Sequence, residues 1–159
     1  MNKMKKLELY FAYFLIAVYC INITACKDDD DESQSKAIEE SLSVACTEWG
    51  LSQEEVTTRM KGYSGRSDNG DYEDFLQFSA KGITIAYEFK DGALNATSIV
   101  IPDNNSEFDA TTYLNGYKYL GEISGTYMYS KESDNIVGMV CDDVNDGKKY
   151  HIIGLAPIN

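Results

Sequence analysis

Ile83-Thr84-Ile85-Ala86-Tyr87-Glu88-Phe89 is the stretch on which the fold turns. In an extended chain, Ile83, Ile85, Tyr87 and Phe89 point one way and Thr84, Ala86 and Glu88 the other. That alternation predicts a strand with one face on a core and a wetter face opposite. Asp91-Gly92 follows it, among the strongest short signals for a two-residue hairpin, and leads into a second strand-like run over residues 94–101. Upstream, residues 72–78 form a third such run, joined through Ala80-Lys81-Gly82. The three together predict a meander.

The segment before the meander reads as helical. Ile38, Leu42, Ala45, Cys46 and Trp49 recur at helical spacing from Ser35, which predicts an amphipathic helix ending near Gly50. Ser52 and Glu55 then make a capping box, flanked by Leu51 and Val56 as a hydrophobic staple. A short helix should run from about Gln53 to Lys61 and stop at Gly62.

The pattern then recurs. Residues 52–63 and 106–117 share Ser, Thr, Thr, Gly and Tyr at a constant shift of 54. Asp91-Gly92 precedes Pro102 by the interval at which Asp146-Gly147 precedes Pro157, at a shift of 55. Strand-like runs at residues 126–130, 136–141 and 149–155 complete a second set. The expectation is an α+β domain: a mostly antiparallel six-stranded sheet with two or three helices on one face. It would be built from two tandem helix–three-strand units, about 52–102 and about 106–157, inside one domain spanning 35–159. This layout is similar to the tandem helix-plus-meander folds of β-lactamase inhibitor proteins, and to PepSY-like and outer-membrane assembly lipoprotein modules. The similarity is one of layout and carries no site residue across.

Ahead of the domain lies an export signal. Lys3, Lys5 and Lys6 precede an apolar run over residues 9–23, which matches a signal segment and is short for a bilayer span. Ile23-Thr24-Ala25-Cys26 resembles the bacterial lipobox, whose cysteine carries lipid. Cys20 follows Val18-Tyr19, too bulky for that cleavage. Lys27-Asp28-Asp29-Asp30-Asp31-Glu32 resembles the export tag of Bacteroidota-type surface lipoproteins. The resemblance implies that residues 1–25 are removed, that Cys26 is lipidated, and that residues 26–34 form an acidic tether. It implies an outer-membrane location on the cell surface, with the membrane contacted through the lipid on Cys26.

Composition narrows the partners. Three lysines and Glu8 leave with residues 1–25, so the remaining chain has 11 basic and 25 acidic residues, a net charge of −14. Such a surface repels nucleic acid, which is not an expected partner. Cys46 and Cys141 fit a disulfide of an exported protein and fit two buried thiols equally well.

The search for chemistry finds no catalytic set. His151, the single histidine, reads as a rim or core residue of the last strand. Asp142-Asp143-Val144-Asn145-Asp146-Gly147 and Asp68-Asn69-Gly70-Asp71 miss the calcium-loop register and read as turns, so neither a metal nor any other cofactor is expected. Tyr127 and Tyr129, two apart on one strand, share a face; that pair fits core packing under a helix and also fits a strip that binds a protein or a glycan. The expected function is non-enzymatic binding of such a partner. A periplasmic envelope-assembly or inhibitor-like protein is the alternative, and an acid-rich hydrolase a third reading.

Overall fold

The computed structural model describes residues 31–63, 74–80, 82–103, 109, 113–145 and 147–158. Among the described residues two helices, α1 (Asp31–Val44) and α2 (Gln53–Arg59), precede seven strands. These are β1 (Phe75–Ala80), β2 (Ile83–Lys90), β3 (Ala93–Pro102), β4 (Lys118–Ile123), β5 (Thr126–Lys131), β6 (Ile136–Asn145) and β7 (Lys148–Pro157). A 3-10 turn, Glu132–Asp134, links β5 to β6. All seven strands join one antiparallel sheet in the order β1-β2-β3-β7-β6-β5-β4.

The α+β class and the antiparallel sheet match the expectation, but the strand count does not. β4 is the seventh strand, and its pattern explains the miss. It is exposed or half-exposed along its length, so it shows no apolar alternation. Gly121 interrupts it at a register shift between Tyr119 and Gly121. The usable signal was Ser124-Gly125, whose φ values of 51° and 80° make the two-residue turn into β5. Asp91-Gly92, at 54° and 77°, does the same between β2 and β3. Positive φ at both central residues suits the right-handed twist of the strands that such turns connect.

Helix boundaries also differ from expectation. α1 starts at Asp31, inside the stretch read as tether. It ends at Val44 instead of near Gly50. The reason lies in the sheet: both backbone groups of Cys46 are taken by side chains of a directly opposed strand pair, Tyr87 and Thr97. The Cys46 N–H donates to the Tyr87 hydroxyl at 3.3 Å, and the Thr97 hydroxyl donates to the Cys46 carbonyl at 2.6 Å. Trp49 still packs on the core from the irregular segment that follows. α2 stops at Arg59, two residues early, with Met60 as its C-cap. Its capping box forms as read: the Ser52 N–H donates to Glu55 at 2.8 Å, and the Glu55 N–H to the Ser52 hydroxyl at 3.3 Å. The helix expected at the start of the second unit, within residues 106–117, falls largely outside the described residues.

The core is double. On the helix face, Ile85, Tyr87, Ile99 and Ile153 meet Ile38 of α1, Val56 of α2 and Met60 beyond it. The Tyr87 hydroxyl donates to the Met60 sulfur at 3.2 Å, so one phenol ties both helical segments to β2. The opposite face was expected to be the wetter one, and here too the structure differs. Phe75, Ala86, Val100, Ile152, Met139 and Met128, one from each of six neighbouring strands, form a second buried apolar cluster there. Thr84 and Ser98 on the same face are buried too.

β3 and β7 meet at the centre of the sheet, each the last strand of its own meander. Ile99 lies directly opposite Ile153. The 54-residue shift read from the sequence relates these same two positions. In the second half the meander β5-β6-β7 gains β4; the residues at the corresponding positions of the first half, 64–69, lie outside the described residues.

Candidate functional site: the β4–β5 edge

β4 is an edge strand paired only with β5, so one side of its backbone faces outward. Tyr119, Leu120, Ile123 and Tyr127 are 53%, 48%, 42% and 45% exposed. The strand register sets their directions. Tyr119 stands opposite Tyr129 and Tyr127 opposite Glu122, all on the helix face of the sheet; Ile123, opposite Thr126, points to the other face. Leu120 sits at the register shift. The apolar side chains therefore wrap around the edge. Taking a fully buried aromatic at 150–250 Å², the four expose on the order of 300–400 Å² together. That equals the largest patch of a typical monomer and is about half of what each side of a stable protein interface buries. It suits a small or transient partner.

The tyrosine pair singled out from the sequence comes apart here. Tyr127 is exposed, but Tyr129 is only 8% exposed and belongs to the helix-face core. Burial raises its phenol above the ordinary value. Its ring instead supports Tyr119, with centroids 5.5 Å apart and planes tilted by 57°. Behind them, the Lys131 ammonium lies 5.8 Å from the centroid of Tyr117 and pairs with Asp134. The Tyr117 ring packs over Gly138, where an added Cβ would stand 3.5 Å from it. An exposed edge is thus carried on a fixed aromatic floor. Tyr119 was missed because β4 was missed.

A second constellation occupies the end of the sheet. His151 on β7 faces Asp142 on β6, with Nδ1 and Oδ1 2.7 Å apart. Asp103, just after β3, lies 3.7 Å from Nε2, and the Lys149 ammonium reaches Asp142 at 3.1 Å and Asp103 at 3.5 Å. Burial pushes the Asp142 carboxyl up, but the hydrogen bonds from His151 and Lys149 outweigh it and hold the carboxyl below its ordinary value. Two carboxylates flank a buried imidazole with a lysine between them, a polar clasp joining β3, β6 and β7. Among the described residues, no group of three or more His, Cys, Asp or Glu side chains is placed to hold a metal ion.

The cysteines do not bridge. Cys46 is free and buried in the helix-face core, whereas Cys141 is free and packs against the second cluster on the opposite face. The sheet itself separates them. Burial raises both thiols, and with Asp143 and Asp142 nearby Cys141 is pushed up to about 11. A thiol so raised is a poor nucleophile near neutrality. Cys26 lies outside the described residues, as does the Asp68-Asn69-Gly70-Asp71 turn.

No helix among the described residues is long and apolar enough to cross a membrane. No protein-family model, curated protein or solved structure matches this chain.

Proposed function

We propose that the protein is a lipid-anchored, non-enzymatic binding module of the outer membrane, displayed at the cell surface. It holds a protein or glycan partner at the β4–β5 edge. The lipobox at Cys26 and the acidic run after it support the address; the layout of the sheet around Ile99 and Ile153 supports a body built by internal doubling. One observation carries the activity: of the six large apolar side chains exposed among the described residues, Tyr119, Leu120, Ile123 and Tyr127 sit together on the one hairpin. Tyrosine gives wide contact at low entropic cost, which suits a surface that must grip something small.

The test is a binding screen of the purified chain against glycan and protein panels, followed by Tyr119→Ala and Tyr127→Ala. Saturable binding weakened at least about tenfold in the double variant fits tyrosine anchors worth over 1 kcal/mol. Binding unaffected by both changes moves the site elsewhere, and no saturable binding defeats the reading. Protease treatment of intact cells decides the address: a shielded protein belongs inside the envelope, where the assembly or inhibitor role applies.

A further inference from the structure

β4 offers backbone groups as well as side chains. Ser124-Gly125 is a two-residue turn, so Ile123 and Thr126 close it as a hydrogen-bonded pair. Antiparallel pairs alternate, which leaves Glu122, opposite Tyr127, with its N–H and C=O directed away from β5. Beyond the bulge the same holds for Tyr119, opposite Tyr129. Tyr127 and Tyr129 are two apart on a regular strand, so the bulge brings the outward groups of Glu122 and Tyr119 to ordinary strand spacing. Both rows of side chains along β4 are open too. Tyr119 and Glu122 on the helix face, and Lys118 and Ile123 on the other, are all exposed, whereas Met128, Tyr129 and Ser130 of β5 are buried. A strand lying against β4 would shade both rows, so their exposure marks the edge as open to pairing.

We propose, resting on the β4–β5 edge as the binding site, that its partner is an extended segment of a cationic protein, added beside β4 as a further strand of the sheet. An apolar patch on the order of 300–400 Å² is about half of what one side of a stable interface between folded surfaces buries. An extended segment makes up the difference with main-chain hydrogen bonds. The six residues of β4 offer it about 20 Å of edge. A second copy fits less well. Pairing β4 with itself over its length, with each face continuous, sets Tyr119 opposite Glu122 of the other copy and Lys118 opposite Ile123. Bulge then meets bulge, and no opposite charges face each other. Lys118 and Glu122 cancel on the strand, so the chain's net charge of −12 sets the sign: it repels a like chain and draws a cationic one. A glycan stacked on the tyrosine rings would leave the backbone edge and Ile123 unused.

The test pans the purified chain against a display library of random octapeptides. Enriched peptides should carry apolar residues at alternate positions and a net positive charge. In a synthetic copy of one, N-methylation of the alternate amides along one edge should weaken binding at least about tenfold, and methylation of the other set less than about twofold. Glu122→Pro removes the outward N–H and no bond to β5, so it should lose the same binding while keeping the parent's circular dichroism. Binding indifferent to both methylated sets, enrichment of acidic peptides or of peptides without alternation, or no enrichment at all overturns the proposal. So does a dimer in sedimentation that Glu122→Pro splits, which gives the edge to a second copy. Saturable glycan binding that Tyr119→Ala and Tyr127→Ala weaken, without peptide enrichment, also overturns the added strand but keeps the edge as the site. Peptide binding that neither tyrosine change weakens takes away the site itself.

Discussion

Removing one hydroxyl at the centre of the fold should show how the helices are held. Tyr87 is fully buried, and its phenol accepts from the Cys46 N–H and donates to the Met60 sulfur. Tyr87→Phe keeps the ring and its edge-on contact with Phe78 at 5.9 Å, but leaves the buried Cys46 amide without its acceptor. An orphaned buried donor costs about 1–3 kcal/mol. For a domain of this size, between the small and large cases, each kcal/mol lowers the melting temperature by about 3–5 °C. The expected loss is therefore about 3–15 °C, read by circular dichroism on heating and by urea titration. Thr97→Val should cost a similar amount by stranding the Cys46 carbonyl. The double variant should fall short of or exceed the sum by about 0.5 kcal/mol or more, since both act on one residue. Alkaline titration supplies an independent check. Burial raises the Tyr87 phenol, and the hydrogen bond from Cys46 only partly draws it back. A group raised in the folded state contributes stability that is present below its unfolded value, near 10, and is lost as pH climbs beyond it. Tyr87→Phe should flatten that alkaline loss. A variant within about 0.5 kcal/mol of the parent, with its alkaline limb unchanged, would show that the phenol does not hold the end of α1.

Other predictions follow from the same geometry. Cys141 should resist maleimide at pH 7 and react faster only as pH approaches the raised value of about 11, with no Cys46–Cys141 disulfide forming under mild oxidant in mass spectrometry. Asp142 is held low by His151 and Lys149, so its contribution is present above the unfolded value near 4 and lost as pH falls through the folded one. Its carboxylate is half-exposed, so Asp142→Asn should cost under about 1 kcal/mol and level the acid limb of a stability-against-pH curve. Gly92 has φ of +77° with open space around it, so Gly92→Ala should cost about 1–2 kcal/mol from backbone strain alone, measurable by urea unfolding.

What the sequence disclosed and what it concealed divide along physical lines. The alternation of Ile83, Ile85, Tyr87 and Phe89 named the helix face correctly, and Ser52 with Glu55 placed the start of α2 to the residue. Both signals are local. Trp49 misled because helical spacing reports which residues reach a core, while the helix itself is stopped by Tyr87 and Thr97 arriving from distant strands. Thr84 and Ala86 misled for a different reason: small and weakly polar side chains cost little to bury, so their alternation with isoleucine does not reveal a second covered face. β4 left almost no trace, because an exposed edge with a mid-strand glycine escapes the period-two test. Of the candidate site, Tyr127 was legible, whereas Tyr119 needed the hairpin that the Ser124-Gly125 turn creates.

The order of strands also bears on how such a chain is made. β7 is synthesised after the other six, yet it forms half of the central seam by pairing with both β3 and β6. Until it has left the ribosome, the two halves have no common edge, and loop closure over some fifty residues must precede their joining. A nascent chain with that arrangement can close its sheet only when translation is nearly finished.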